Sequence, residues 1–313
     1  MTLPIGVSVV RPAPQAMLDT AREADRAGVP TAWSTVAGIS PDAVTILAIA
    51  ATQTQRISLG TSIVPAYPRH PLVLASQALV FENLAPGRLR LGVGPSHRPT
   101  VEGVFGIPME DPIRYMREYL TVLRQLLWEG RADVDGQFLR VHAALPARTE
   151  PPRTPLYLSA LRPAMYRLAG EISDGAISWN SPIPYLVRSA LPALRSAAEQ
   201  AGHRHPILIA HVPVALSNDE SAVRAAALAF LTRYAQLPFY VHMFRAAGYD
   251  VPGDGTVPDD LIDGLVVSGS ATQIMERLRG YLDEGIGELL VTLLAIRDEE
   301  REAREFFAAI GAS

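Results

Sequence analysis

One segment of the sequence, GVGPSHRP, places a histidine directly after an apolar stretch and two glycines. Histidine is the side chain whose ordinary pKa lies close enough to neutrality for it to donate or accept a proton during turnover. His97 is therefore the first candidate for acid–base catalysis or for contact with a substrate. The alternative is a histidine in a surface loop that hydrogen-bonds to the backbone.

Other familiar reactive patterns are missing from the sequence. The chain has no cysteine, which excludes disulfides, thiol nucleophiles and metal sites ligated by cysteine. The histidines form no H-x-x-x-H pair, and His203 and His205 flank the end of a predicted helix, where cations suit the helix dipole. No G-x-S-x-G elbow and no pair of catalytic carboxylates stands out. We predict neither a metal site nor a hydrolase triad.

The candidate residues must be positioned by an alternating scaffold of strands and helices. Apolar segments followed by amphipathic ones recur along the 313 residues. The segments that predict strands are IGVSVV, PTAWSTV, RISLGTSIV, RLRLGVG, TPLYLSA, DGAISW, ILIAHVPVAL and GELLVTLL. This alternation predicts an α/β fold, a (β/α)8 TIM barrel formed by residues 1–313 as a single domain. An open doubly wound sheet is the alternative, but no G-x-G-x-x-G follows the first strand.

Two insertions interrupt the alternation. Residues 132–141 alternate around Asp135-Gly136, which predicts a small hairpin. Residues 238–265 are less regular and predict loops with short helices. We expect this second segment to form part of a lid over the site, where substrate choice would be made.

In a TIM barrel the active site lies at the C-terminal ends of the strands, which we call the mouth. Residues that follow the predicted strands are Trp33 and Ser34, Ser62 to Tyr67, Ser96 and His97, Ser159 to Arg162, Trp179 and Asn180, and His211. These residues make the mouth apolar and aromatic, with few ionisable groups. Such a mouth suits a flat organic cofactor that supplies its own chemistry.

The segment ISLGTSIVPAYPRHPLVLASQALVFENLAPGRLRLGVGPSHRPTVEGVFG resembles the luciferase-like monooxygenase superfamily of flavin and deazaflavin enzymes. The resemblance covers nearly the whole chain, including the hairpin insertion and the closing SGSATQIMERLRGYLDEGIGELLV. Within the superfamily the chain is most similar to actinobacterial oxidoreductases that use the deazaflavin coenzyme F420. The resemblance implies a TIM barrel, in agreement with the strand pattern.

The resemblance also implies a cofactor site. A non-prolyl cis peptide at the end of the third strand would support the central ring, and here it falls on Ser62–Ile63; an ordinary trans bond in a proline-rich loop is the alternative. The residues implied to bind the cofactor are Ser62, Ile63, Val64, Ser96, Ser159, Ala160, Leu161, Arg162 and Trp179. The phosphate loop would be SALRPAM, whose backbone N–H groups at a helix start would face an anion. Arg162 stands where relatives more often have glycine, and it either pairs with an anion or points to solvent.

Three aromatic residues, Trp33, Tyr67 and Tyr240, are predicted to line the substrate pocket. Trp33 and Trp179 could equally be core residues near the top of the barrel. Phe239 and Tyr249 of the lid segment could contact substrate or pack within the loop.

One departure from the superfamily bears on the reaction. Relatives that oxidise sugar phosphates have an acid–histidine pair at the end of the second strand, where this chain reads WSTVAGIS. The resemblance therefore implies hydride transfer between coenzyme F420 and a small or medium organic substrate, with reduction favoured. A two-component monooxygenase that uses reduced FMN is the alternative, and a barrel that binds flavin or another ligand without turnover is a third.

Partners and location follow from composition. A net charge of -4 gives no electrostatic case for binding nucleic acid or an anionic membrane. No segment has the apolar length of a membrane span, and the N-terminus lacks the features of a signal peptide. We predict a cytoplasmic protein whose partner is a small-molecule substrate. The predicted second and third helices are apolar, which fits a homodimer interface. The alternative is that their apolar faces pack inward against the barrel, since the inner faces of barrel helices are equally apolar.

Overall fold

Parallel strands close into a barrel in the computed structural model, which describes residues 2–36, 40–146, 149–202 and 206–313. The barrel strands are β1 (Ile5–Ser8), β2 (Thr31–Ser34), β3 (Ser58–Thr61), β4 (Leu89–Gly94), β5 (Leu156–Ser159), β6 (Gly175–Ser178), β7 (Ile207–Ala215) and β8 (Glu288–Leu293). Each strand pairs in parallel with the next, and β8 pairs with β1 to close the ring. The predicted TIM barrel is confirmed, and its strands lie within the eight apolar segments.

Helices cover the outside of the barrel. They are α1 (Pro14–Ala27), α2 (Ala43–Gln53), α3 (Pro71–Leu84), α4 (Arg98–Gly103), α5 (Pro112–Arg124), α6 (Pro163–Ile172), α7 (Ile183–Tyr185), α8 (Leu191–Gln200), α9 (Glu220–Leu231), α10 (Pro238–Ala247), α11 (Asp259–Leu265), α12 (Ala271–Asp283) and α13 (Glu299–Gly311). Single π-helical turns extend α5 at Gln125–Glu129 and lead into α8 at Leu186–Ala190. Because helices pack on the outer face and side chains fill the inner one, the strands are apolar on both faces.

Local signals set the ends of several helices. Gly28 adopts a left-handed conformation (φ 84°) and ends α1. The Asp42 carboxylate accepts the Thr45 N–H and caps the start of α2. Ser270 and Gln273 form a reciprocal capping box at the start of α12.

The two predicted insertions have the expected character. Arg131–Asp135 and Arg140–Ala144 form an antiparallel hairpin slightly wider than residues 132–141. The Glu118 carboxylate holds the hairpin turn to α5 by accepting the backbone N–H groups of residues 137–139 at 2.8–2.9 Å. Residues 238–265 consist of α10, a loop and α11, as predicted.

The lower part of the barrel interior is filled by one large side chain and a buried ion pair. Trp33 is 0% exposed and lies between Gly6 and Gly60, where any added Cβ would approach its indole within 2.4–2.5 Å. Arg90 forms an ion pair with Glu288, which also accepts the Trp33 Nε1–H at 3.1 Å. The glycines on β1 and β3 thus make room for an indole in the centre of the barrel.

Among the described helices, none has the length and apolarity needed to cross a membrane. His203 and His205, predicted to flank a helix end, lie outside the described part of the chain. Residues 37–39 of the WSTVAGIS segment also lie outside it.

Candidate active site

The inward-facing side chains of β6, β7 and β8 form two layers. Ile177, Ile209 and Leu290 belong to the lumen cluster around Trp33 and Tyr157. Side chains two residues further along a strand lie on the same face. The next layer toward the mouth therefore consists of Trp179, His211 and Thr292.

His211 is the centre of this upper layer. Its ring is 1% exposed and stacks on Trp179 at 3.7 Å between centroids, with 12° between the planes. The Asn180 backbone N–H donates to Nδ1 at 3.3 Å, and Nε2 lies 2.8 Å from Thr292 Oγ1. Burial lowers the pKa of His211 to about 3, so the ring is neutral at ordinary pH.

A backbone bulge at the end of β3 forms the opposite wall of the mouth. The Ser62–Ile63 peptide is cis, so the predicted cis bond is confirmed. Ser62 N–H donates to the Ser34 carbonyl at 2.7 Å, and Ile63 N–H donates to Thr35 Oγ1 at 3.2 Å. Val64 then returns to the sheet by pairing with Val93.

Because Gly94 has no side chain, the ends of β3, β4 and β5 can approach one another closely. A Cβ on Gly94 would lie 2.0 Å from Ser159 Oγ and 3.2 Å from Ile63 Cγ1. Only glycine permits these two side chains to approach β4 so closely. The wall therefore combines residues predicted for the cofactor site from β3 and β5.

His97 lies at the rim, just after the end of β4. Ser96 precedes it in a left-handed conformation (φ 64°), which turns the chain from the strand into α4. The His97 ring is partly buried, with its centroid 5.7 Å from that of Tyr240. Burial lowers the pKa of His97, and the positive charge of Arg233 lowers it further.

An aromatic wall connects the rim to the upper layer. Tyr240 lies in α10 and contacts Tyr234 edge-on, with 4.9 Å between ring centroids. The Tyr234 hydroxyl accepts hydrogen bonds from Trp179 Nε1 at 2.9 Å and from Arg233 Nη2 at 2.8 Å. Trp179 is thus joined to Tyr234, against which the buried Tyr240 packs, and the site roles of Trp179 and Tyr240 stay predictions.

The loop after β5 carries the predicted phosphate-binding residues. Ala160 is buried and donates its N–H to the Ile177 carbonyl, whereas the Leu161 carbonyl accepts the Tyr185 hydroxyl at 3.0 Å. Arg162 occupies the N-cap position of α6 without a side-chain cap, and it is exposed. Its side chain is therefore accessible to solvent, and pairing with an anion stays a prediction.

Three predicted contacts lie in the protein core instead. Trp33 is enclosed in the lumen, beneath the mouth, because the two flanking glycines leave space for it there. Tyr67 stacks on Tyr115 at 4.0 Å and donates to the Glu110 carbonyl at 3.1 Å, which fixes it beneath α4 and α5. Val64 is fully buried, so its side chain belongs to the main core. The prediction that the Trp33 and Tyr67 side chains line the substrate pocket is therefore corrected, whereas the cofactor contact predicted for Val64 stays a prediction.

The site also contains residues that no motif of the sequence indicates. Thr292 and Tyr234 belong to no reactive pattern, although Thr292 shares the alternation of Leu290 in GELLVTLL. Asn180 directly follows the strand segment DGAISW. It adopts φ 49° and is 0% exposed, and neither atom of its amide has a hydrogen-bond partner among the described residues. An unsatisfied buried amide at the mouth fits a ligand with polar atoms, such as a heterocyclic cofactor.

The described residues contain no group of three or more His, Asp and Glu side chains that could hold a metal ion. Tyr249, in the segment predicted to form a lid, contacts Gly264 and lies in a surface groove with Arg277 and Tyr281 of α12.

Comparisons with known proteins agree with this arrangement. The family model for luciferase-like monooxygenases matches residues 3–288. An F420-dependent glucose-6-phosphate dehydrogenase from Nakamurella multipartita is 30% identical, over 82% of this chain and 78% of its own length. A 5,10-methylenetetrahydromethanopterin reductase from Methanolobus tindarius is 26% identical, over 86% of this chain and 87% of its own.

Two solved structures share the fold at low identity. An F420-dependent secondary alcohol dehydrogenase in complex with an F420–acetone adduct superposes with a TM-score of 0.84 at 19% identity, covering 100% of this chain and 99% of the other. The oxygenating constituent of 3,6-diketocamphane monooxygenase from Pseudomonas putida, in complex with FMN, gives a TM-score of 0.73 at 17% identity over 99% and 96% of the two chains. Since the family match spans almost the entire barrel, the chain belongs to the luciferase-like monooxygenase family.

Proposed function

We propose that the protein is a deazaflavin-dependent oxidoreductase that transfers a hydride between coenzyme F420 and a small or medium organic substrate. The observation that carries the proposal is the composition of the mouth. A bare backbone wall at Ile63 and Gly94 faces an aromatic wall at Trp179 and Tyr240, with His97 at the rim. F420-dependent relatives that align with most of the chain support coenzyme F420 over FMN.

The residues at the mouth fit a flat heterocycle. The Ser62–Ile63 bulge and Ser159 would hold one side of the ring system, and the unsatisfied Asn180 amide would meet its polar atoms. The exposed Arg162 at the start of α6 would attract an anionic part of the cofactor. When bound, the deazaflavin supplies the carbon that donates or accepts the hydride.

His97 would handle the proton that accompanies hydride transfer. Because its pKa lies below the usual 6.5, the ring is neutral at pH 7 and must be protonated before it can act as an acid. In the reductive direction, kcat/KM should therefore fall as pH rises through and above the lowered pKa. In the oxidative direction the neutral ring is the active form, and kcat/KM should instead reach a plateau above that pKa.

The WSTVAGIS segment supports reduction as the physiological direction, because it offers no ionisable side chain at the end of β2. The second relative, a reductase, agrees with this direction. We propose that the substrate is reduced at a double bond or an imine or carbonyl carbon.

Cofactor titration tests the proposal directly. Purified protein is titrated separately with F420 and with FMN, and binding is followed by cofactor fluorescence. Tight binding of F420 with weak binding of FMN is expected, and tight FMN binding without F420 binding would contradict the proposal.

His97→Ala should lower turnover about 100-fold or more, whereas His97→Gln should retain cofactor affinity and lose the pH dependence between pH 5 and 8.

A two-component monooxygenase that uses reduced FMN is the second candidate. The structural likeness to an FMN-bound monooxygenase component favours it. Oxygen consumption with reduced FMN and an organic substrate would identify this activity. A barrel that binds a flavin without turnover is the third candidate, and turnover abolished by His97→Ala would exclude it.

We also propose that the protein forms a homodimer through α2 and α3. Ile49 on α2 and Val73, Val80 and Leu84 on α3 are apolar yet 41–58% exposed. An exposed apolar stripe of this kind is typical of a surface covered by a partner. Because α2 packs against α3, these exposed residues lie on neighbouring helices.

Analytical ultracentrifugation tests the dimer. The wild-type protein should sediment with the mass of two chains, and Val80→Glu should sediment as a monomer because it buries a charge in the interface. Leu228→Glu is a matched control, since Leu228 is a similarly exposed apolar residue on α9. Equal sedimentation of both variants and the wild type as monomers would contradict the proposal.

A cytoplasmic location stays a prediction from composition.

A further inference from the structure

The upper layer of the barrel contains a directed chain of hydrogen bonds. The Asn180 backbone N–H can only donate, so Nδ1 of His211, which it contacts at 3.3 Å, must be the unprotonated nitrogen. The ring is neutral, and its proton is therefore on Nε2. Nε2–H then donates to Thr292 Oγ1 at 2.8 Å.

The ring cannot easily leave this arrangement. Trp179 stacks on one face of His211, and the Trp179 Nε1–H is itself held by the Tyr234 hydroxyl at 2.9 Å. Phe230 packs near the ring at 6.0 Å between centroids. A ring flip would separate Nε2 from Thr292 and leave a buried N–H donor without a partner, which is costly.

The direction of this chain determines what Thr292 can do. Because the hydroxyl oxygen already accepts from His211, its own proton is free to donate. Thr292 is partly exposed and faces inward above Leu290, so its hydroxyl lies at the mouth. With the other imidazole tautomer, Thr292 would donate to His211 and have only lone pairs left for a ligand.

We propose that Thr292 donates a hydrogen bond to an acceptor oxygen of the substrate, and that His211 is the positioning residue that fixes Thr292 as a donor. This inference rests on the proposed function and narrows its substrate class to ketones, enones and related carbonyl compounds. A hydride from reduced F420 that reaches the carbonyl carbon of a ketone, or the β-carbon of an enone, breaks a π bond and moves an electron pair onto the oxygen. Negative charge therefore develops there until the alkoxide or enolate is protonated, with His97 as the proposed source of the proton. A donor fixed in advance at that oxygen stabilises the charge without reorganisation.

The first test measures the tautomer without any cofactor. Long-range ¹H–¹⁵N correlation spectra of the full-length protein should show His211 protonated at Nε2 and unprotonated at Nδ1 at pH 7. His211→Phe identifies the signals. Protonation of Nδ1, or a charged ring, would overturn the inference.

The second test uses cyclohex-2-en-1-one and its isostere without the carbonyl, cyclohexene, as probes. Binding to cofactor-free and F420-loaded protein is measured by saturation-transfer NMR, and turnover is measured with reduced F420. Wild-type protein should bind the enone more tightly than the alkene. Equal binding of both, or binding of neither, would refute the carbonyl class.

Paired variants separate the donor role from a packing role. Thr292→Val keeps the shape of the side chain and should lower kcat for the enone about 10- to 100-fold, whereas Thr292→Ser should stay within about threefold of the wild type. His211→Phe should resemble Thr292→Val, and His211→Gln should recover part of the loss because its amide can donate.

Equal kcat values for the Val and Ser variants would refute the donor role. Affinity for F420 should be the same in the wild type and in both Thr292 variants. Failure of the wild type itself to bind F420 would contradict the proposed function, while the tautomer and the preference for the enone over cyclohexene would still be measurable.

Discussion

Replacing Glu288 by glutamine should destabilise the barrel strongly, because it leaves a buried arginine without its counter-charge. The Arg90 side chain is 13% exposed and that of Glu288 6%. The Arg90 guanidinium packs against the rings of both Trp33 and Tyr157, 4.8 and 5.0 Å from their centroids. Burial alone would lower the pKa of Arg90, but Glu288 and the Tyr157 hydroxyl raise it overall, so the charge stays in the lumen.

The size of the effect follows from the loss of one partner of a buried ion pair, which costs about 3–5 kcal/mol. The unfolding entropy is about 2 cal/mol/K per residue, and 313 residues therefore give roughly 0.65 kcal/mol/K. Glu288→Gln should consequently lower Tm by roughly 5–8 °C. Differential scanning calorimetry at neutral pH measures this shift.

Two controls identify the cause. Glu300→Gln removes the acid of an exposed helix pair with Arg304 and should cost at most about 1 kcal/mol. The double variant Arg90→Met/Glu288→Gln removes both charges but keeps an amide oxygen that can accept the Trp33 Nε1–H, and it should recover most of the lost stability. If Glu288→Gln matched Glu300→Gln, or if the double variant were as unstable as the single one, the reasoning about an uncompensated buried charge would be refuted.

Two further predictions concern strand ends. Burial would raise the pKa of Asp25, but the backbone N–H groups of residues 55–57 and the charge of Arg88 lower it overall. Asp25→Asn should lower the free energy of unfolding by about 1–3 kcal/mol at pH 7. The difference in unfolding free energy between this variant and the wild type, measured by urea denaturation, should decrease below about pH 4, because the wild-type carboxylate becomes protonated as the lowered pKa is approached. A difference that stays constant with pH would contradict this. The methyl group of Gly94→Ala would clash with Ser159, and this variant should bind F420 about tenfold more weakly or worse. Gly103→Ala meets no atom within 4 Å and should bind F420 like the wild type. Equal affinities of the two variants in a fluorescence titration would contradict a cofactor site at the wall formed by Ile63, Gly94 and Ser159.

Several features of the protein follow from the sequence alone. Apolar segments alternating with amphipathic ones identify the barrel strands, because strands covered on both faces need apolar residues at nearly every position. The GTSIVPAYPRHP segment carries the family resemblance that implied the cis Ser62–Ile63 bond. His97 follows β4 directly, and the end of a barrel strand is at the mouth whatever the details of packing.

Other features depend on contacts between distant parts of the chain. Trp33 and Trp179 both follow apolar strand segments, yet Trp33 fills the lumen between Gly6 and Gly60 whereas Trp179 reaches the upper layer. The depth of an inward-facing residue is set by the stagger of neighbouring strands, which a single strand's sequence does not specify.

The donor role proposed for Thr292 is the clearest case of dependence on tertiary structure. Its partner His211 lies 81 residues away, and the ring's tautomer is set by the backbone of Asn180, 31 residues further back. The pattern of amino acids identifies the fold, the family and the strand ends that form the mouth. Which polar groups meet there, and in which direction their hydrogen bonds run, depends on barrel closure, because closure brings distant strands together.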